Sequence, residues 1–424
     1  MKILWLCNIP IFQIANSFAI PSPSVGGWLS GAYNKLIACE DIELIYLFPG
    51  AEYKKRQING KVKGISYIEK SPKSYDKALE NIFREILNNE NPDIIHIWGT
   101  EYPRSYSMIK ASKSVGLLPR TTVSIQGLVS IYSLHYYAYL PPKVIYGISL
   151  RDLLKLDNVF LGKRNFRIRG KYEVEVLKSI NHVVGRTEWD YACAKMFNNN
   201  IEYYFCNETL RDSFYNDEWS IDKCDRHTIF VSQASYPIKG FHIMIEALKI
   251  LCDEYRDIKV YVTGSDLNNT SFGTQLKRTY YGNWLSKQIH KSKLGNNIYF
   301  LGNLNEADMK NEFLKANVFV CCSSIENSPN SVGEAMILGT PVVCADVGGV
   351  KSMLHHEVEG LLYQADAPYM LAHNIKRIFD DDILAKKLSQ SARKRALITH
   401  DPDINSRRLI EIYHSIRDKE VSPC

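Results

Sequence analysis

Two carboxylates and a set of partnerless backbone amides share the stretch 318–349, VFVCCSSIENSPNSVGEAMILGTPVVCADVGG. Seven residues separate Glu326 from Glu334. Between them, Ser328 and Pro329 read as a helix start: serine at the N-cap accepts from a free amide, and proline at the first helical position loses nothing by lacking its own. The amides of Asn330 and Ser331 then have no helical partner. The helix dipole adds partial positive charge there, so a phosphate suits the place. Ionised carboxylates only accept hydrogen bonds, so the two glutamates suit hydroxyl-bearing rings, with Glu326 at the pocket mouth and Glu334 on the second helical turn. One phosphate seat between two hydroxyl readers describes a nucleotide sugar. A solvated glutamate pair beside an ordinary capped helix is the plainer alternative.

The elements that must hold these groups follow from the same stretch. The apolar run 318–322 reads as a buried parallel strand. The helix extends to about Leu338, where Gly339 takes a left-handed cap and Pro341 forbids continuation. A second apolar strand, 342–345, follows, and then Gly348 and Gly349. The unit is strand, helix, strand, with the loop running from a strand's carboxyl end to a helix's amino end.

ENSPNSVGEAM, GTPVV and DVGGV, at these internal distances, resemble the Glu-x7-Glu region of glycosyltransferase family 4, the retaining nucleotide-sugar enzymes with the GT-B fold. The resemblance implies Glu334 on the ribose, the amides near Asn330 and Ser331 on the diphosphate, and Glu326 as the catalytic carboxylate on the donor sugar. Asn327 and Ser328 join the substrate contacts. It also matches Lys239, followed by Gly240, to the family's diphosphate-binding lysine. Where family members commonly carry an arginine five residues earlier, this chain has Ala234. A missing cation weakens leaving-group stabilisation unless Arg186 or Arg278 supplies it.

The remaining candidates lie in the first half. Gly26 and Gly27 follow the first strand after a loop, and paired glycines let backbone approach a ligand. They lack GxGxxG spacing, so they are no dinucleotide fingerprint, and a plain turn into a helix near Leu29 is the bland reading. Their position matches the glycine loop with which family 4 enzymes approach diphosphate and acceptor. Gln126, in SIQGL, stands where many relatives have a histidine; it can bind a sugar hydroxyl but cannot relay a proton. His96 and Glu101, in HIWGTEYPRS, end another strand. Glu101 is the acceptor-site candidate, and core packing is as good an account of His96. Arg186 could line the cleft, with helix capping by Thr187 as the alternative for that stretch.

Over 424 residues, 45% hydrophobic and 23% charged, two domains of about 200 residues are expected. Short apolar runs alternate with amphipathic segments such as 74–88, SYDKALENIFREILN, which argues for parallel sheets covered by helices. The architecture expected is α/β: GT-B, with two Rossmann-like domains, parallel sheets facing a central cleft, at residues 1–210 and 225–400. A last helix at about 402–418 crosses back to the first domain. The polar stretch 207–226 reads as the connection.

The 10 cysteines are scattered, no signal core precedes them, and Cys321 and Cys322 sit on an apolar strand as packing, so a reducing cytoplasmic setting is expected. The formal charge of +6 divides as +7 over residues 1–216 and −1 over the rest. The first half should therefore face something anionic, a membrane surface or a phosphorylated acceptor rather than nucleic acid. Residues 131–146, IYSLHYYAYLPPKVIY, with the basic run 163–171, KRNFRIRGK, suit a membrane interface or, equally, a tyrosine-rich core. Asp380, Asp381 and Asp382 read as a helix-end charge cluster rather than a metal motif, and no metal or other cofactor is expected beyond the nucleoside diphosphate sugar itself. The activity expected is transfer of a sugar to a glycan or lipid-linked acceptor in cell-surface polysaccharide assembly. A nucleotide-sugar epimerase of the same fold and a non-catalytic subunit of a glycan-assembly complex are the rivals.

Overall fold

The computed structural model describes residues 1–21, 26–234 and 236–421. The chain divides into two compact units, residues 1–131, 166–211 and 400–424, and residues 132–165 and 212–399.

The first unit is built on β1 (Lys2–Leu6), β2 (Glu43–Gly50), β3 (Lys54–Gln57), β4 (Val62–Ile68), β5 (Ile94–Trp98), β6 (Thr121–Ser124), β7 (His182–Gly185) and β8 (Glu202–Phe205). Their order in the sheet is β3-β4-β2-β1-β5-β6-β7-β8, parallel except for the β3–β4 edge pair. Inner strands such as IIHIW are buried along their whole length, as a parallel sheet covered on both faces requires. The last helix, Pro402–Val421, belongs to this unit: Tyr413 and Ile416 lie in its core, and Trp5 Nε1 donates to Tyr413 Oη at 3.0 Å.

The second unit carries β9 (Asp225–Val231), β10 (Lys259–Val262), β11 (Ile298–Phe300), β12 (Ala316–Cys321), β13 (Val342–Ala345) and β14 (Leu361–Tyr363). These six are parallel, in the order β11-β10-β9-β12-β13-β14. Each corresponds to an apolar run in the sequence. The Asp380–Asp382 run lies at a junction between helices, where Asp381 Oδ1 accepts from the amides of Ile383 and Leu384 at 2.9 Å.

One boundary differs from the sequence expectation. Residues 132–165, assigned there to the first domain, fold with the second. The reason is polar anchoring: His242 Nε2 donates to the Ala138 carbonyl at 2.6 Å, Ser149 Oγ donates to the Arg278 carbonyl, and Asp152 Oδ2 accepts from the Tyr280 amide.

Candidate active site

In the second sheet the chain runs outward from β9 through β10 to β11, then returns to β12 and runs the other way. The crevice at the carboxyl ends of β9 and β12 is therefore the topological switch point, where open α/β sheets bind their ligands. The loop after β9 ends in a short 3-10 turn, Pro237–Lys239, and Gly240 at φ 69° then starts the Phe241–Leu251 helix. A Cβ on Gly240 would sit 1.7 Å from the Cys322 carbonyl oxygen, so only glycine lets the two loops lie this close. The Ser324 amide donates to the Ile238 carbonyl at 2.7 Å, and Cys322 Sγ donates to the Lys239 carbonyl. So tied, the loops bring Lys239 Nζ to 2.6 Å from Glu326 Oε1.

Glu326 is 7% exposed, which corrects its expected place at a pocket mouth: it is buried because its partner comes from the facing loop. Burial alone would lower the Lys239 pKa, but the Glu326 carboxylate reverses that and holds the ammonium above its ordinary value. Tyr132, which sequence reasoning did not single out, stands in the same electrostatic neighbourhood. Burial and then the Glu326 charge push its phenol well up, while the Asn327 amide donates to its oxygen. Only its place in an aromatic run hinted at it.

The helix beside the pair spans Asn330–Leu338 and ends on Gly339 at φ 79°. Its cap residue is Pro329, not Ser328, and no side chain caps it. Pro329 is extended at ψ 119°, and its own carbonyl accepts from the amides of Val332 and Gly333, which leaves Ser328 one residue outside. The amides of Asn330 and Ser331 thus precede the first helical donors. Asn330 Oδ1 is buried without a hydrogen-bond partner among the described residues, an atom suited to a ligand donor. Glu334 is buried on the second turn. Gly348, at φ 51°, closes over the site: a Cβ there would lie 1.9 Å from the Glu326 carbonyl oxygen.

The two arginines considered as substitutes at Ala234 have other partners. Arg278 donates to the carbonyls of Asp266, Leu267 and Asn269 and to Ser286 Oγ, pinning the 266–269 loop. Arg186 belongs to the first domain, where Glu208 holds it in a buried ion pair at 2.5 Å.

That pair brings together two of the first-domain candidates. Gln126 Nε2 donates to Glu208 Oε1 at 2.6 Å, and its Oε1 accepts from Arg186 at 3.4 Å. Trp28, Trp98 and Asn207 line the pocket around them. Glu208 was hidden in the stretch read as a linker. Glu101 stands elsewhere in this domain, at the switch between β1 and β5, where Asn8 Nδ2 donates to it at 3.4 Å and the Gly127 amide donates as well. Burial nonetheless raises its pKa. Arg104 donates to Asn8 Oδ1 and is paired with Glu69 at 2.6 Å, so four polar side chains meet there; Asn8, placed just past β1, was the overlooked signal. Gly26 adopts φ 89°, and a Cβ on it or on Gly27 would press on Ile9 or Arg211, so both glycines have a packing reason. His96 is a core residue, hydrogen-bonded to Tyr413 and Ser124, with burial lowering its pKa to about 3. Thr187 caps its helix in a capping box with Asp190.

The family model for glycosyl transferases group 1 matches residues 213–395. YtcC of Bacillus subtilis is 28% identical over 49% of this chain and 50% of its own length. The uncharacterized glycosyltransferase MJ1607 of Methanocaldococcus jannaschii is 26% identical over 45% of each. This chain thus spans about half the length of the curated relatives it matches. Among solved structures, sucrose-phosphate synthase of Thermosynechococcus elongatus superposes with a TM-score of 0.69 at 15% identity, covering 98% of this chain and 99% of that one. Anabaena Alr3699/HepE, in complex with UDP and glucose, gives 0.68 at 16% identity over 98% and 100%. These two share the GT-B fold with this chain, and residues 213–395, most of its second unit, match the family of glycosyl transferases group 1.

Proposed function

We propose that this protein is a retaining glycosyltransferase that moves a sugar from a nucleoside diphosphate sugar to a glycan or lipid-linked hydroxyl in cell-surface polysaccharide assembly, at the cytoplasmic face of the membrane. The observation that carries this reading is the Lys239–Glu326 pair at the switch point, with Glu326 in the loop that leads into the helix begun by Asn330 and Ser331. A half-buried cation, helix amides and an Asn330 oxygen with no hydrogen-bond partner among the described residues suit a diphosphate and its sugar; the buried Glu334 suits a ribose. The HepE complex with UDP and glucose supports the same ligand class.

In the proposed reaction the bond from the anomeric carbon to the leaving phosphate oxygen breaks, and a bond to the acceptor oxygen forms on the same face. The acceptor proton passes to the departing diphosphate, and Lys239 with the helix amides stabilises its charge without a metal. No protein nucleophile is assigned.

Titration calorimetry with UDP and GDP, each with and without a chelator, tests the reading. Tight metal-independent binding of one of them supports it; binding of neither overturns it. Incubation with donor alone separates the epimerase rival, which would release an altered sugar nucleotide.

A further inference from the structure

Residues 134–164 present an inverted pattern. Tyr146, Ile148, Leu150, Leu153, Leu154 and Leu156 are all exposed, with Leu154 at 75%, whereas Asp152 and Asn158 in the same stretch are buried. Ordinary folding would place them the other way round. The polar groups face inward because they hold the segment in place: Asp152 Oδ2 accepts from the Tyr280 amide and Ser149 Oγ donates to the Arg278 carbonyl, which tie it to its domain, while Asn158 Nδ2 donates to the Gly147 carbonyl within the segment. The leucines are thus held outward by a fixed scaffold. Leu156 ends the Leu150–Lys155 helix at φ 52°, a backbone that asparagine or glycine adopts more easily. A leucine there gains neither burial nor conformational ease, and six large apolar side chains exposed within eleven residues mark an interaction surface.

Charge selects the occupant. The segment has five Lys or Arg residues against two Asp. Asp152 is buried, and Asp157 is paired with Arg151 at 2.8 Å. Lys143, Lys155 and Arg164 are exposed around the apolar side chains. Leucines that enter an acyl boundary, a tyrosine at headgroup level and surrounding cations match an anionic bilayer. A second copy of the chain fits worse, because a twofold interface would set these cations against their own images. No helix among the described residues is long and apolar enough to cross a membrane, so the contact is peripheral to the bilayer core.

We propose that residues 134–164 are a docking surface for anionic lipid bilayers. This deepens the membrane-side part of the proposed function, and it fails separately from it, because vesicle binding needs no donor and nucleotide binding needs no vesicle. The test is flotation of the full chain with vesicles of phosphatidylglycerol and phosphatidylcholine in equal parts, and with phosphatidylcholine alone. The wild type should float with the mixed vesicles only, and less at high salt. The exposed double variant Leu153→Glu/Leu154→Glu should lose tenfold or more of the binding while keeping its circular dichroism and UDP or GDP affinity. Lys155→Glu, a second variant on the exposed face, should lose about fivefold or more. A wild type that stays in solution, variants that float equally well, or a wild-type dimer that the double variant dissolves would overturn the proposal.

Discussion

Lys239 Nζ lies 2.6 Å from Glu326 Oε1, though 87 positions separate the two residues. One stands past β9 and the other past β12, the two neighbouring strands at which the second sheet reverses its winding. The fold thus assembles the pair before any ligand arrives. Each group neutralises the other in a site where an isolated charge would be costly. Under the proposed function, a diphosphate reaching this place would meet a cation already held protonated, and engaging it would free a carboxylate for the sugar.

Replacing Glu326 by Gln keeps the shape and one acceptor oxygen but removes the charge. Turnover of the nucleotide sugar should fall by roughly 10²–10³, the size of a lost electrostatic contact to a transition state. Circular dichroism should stay at wild type. Steady-state kcat checks this, and a near-normal value would remove Glu326 from the chemistry.

Lys239→Ala should weaken nucleoside diphosphate binding by about 1–3 kcal/mol, roughly 5–150-fold, as expected for a charge-assisted bond to phosphate. Glu326 is left as a buried, unpaired carboxylate, so the variant should also unfold more readily at pH 7. Calorimetric titration and denaturant unfolding read the two effects apart. Unchanged affinity would take the lysine out of the phosphate site.

Gly240→Ala tests the close approach rather than the charges. Its Cβ would meet the Cys322 carbonyl at 1.7 Å, and backbone cannot yield as a side-chain tip does. Overpacking with left-handed strain should cost about 2–5 kcal/mol. Nucleotide affinity should fall along with it, because Lys239 is displaced from Glu326. Thermal unfolding and titration of the same sample check both.

What could be read from sequence followed burial. All six strands of the second sheet appeared as apolar runs because parallel strands are covered on both faces. KKRQ of β3 and EYYF of β8 escaped because they are short edge strands that lie partly open to solvent, the first charged and polar throughout and the second with a single buried position. Spacing and resemblance singled out Glu326, Glu334 and Lys239 as candidates, but the pairing of Lys239 with Glu326 was not legible, since it depends on how loops 87 residues apart close. The Ser328 cap was misread by one residue because Pro329, in extended backbone, took that place. Glu208 and the 132–165 segment were missed for one reason: their placement rests on long-range polar anchors that leave no periodicity.

One such anchor gives a pH dependence. His242 is buried, with its ring bonded to the Ala138 carbonyl and Tyr281 Oη, and burial lowers its pKa from 6.5 to about 4. The unfolded chain therefore binds a proton between pH 6.5 and 4 that the native state refuses. The stability this group contributes is complete above pH 6.5 and declines as pH falls towards 4. At pH 5 the loss is about 2 kcal/mol. His242→Gln keeps a donor for the carbonyl but cannot titrate, so its unfolding free energy should change less between pH 7 and pH 5 by that amount. Equal changes in the two proteins would mean that the imidazole accepts its proton while folded.

The Gln126–Glu208–Arg186 network poses the remaining question, whether it holds the first domain together or reads an acceptor. Arg186 and Glu208 are both nearly fully buried. Glu208→Ala should therefore cost about 3–5 kcal/mol by stranding a guanidinium left with Gln126 as a neutral partner. Replacing both charges at once, Arg186→Met with Glu208→Leu, should recover most of that loss, since well-packed apolar side chains often match a buried ion pair. Stability alone would then be satisfied. If the network only supports the fold, this double variant transfers sugar to acceptors in a cell-envelope extract as well as wild type does. If Gln126 and Arg186 bind the acceptor, transfer falls at least tenfold while the affinity for UDP or GDP, which the proposed function assigns to second-domain residues, stays as it was.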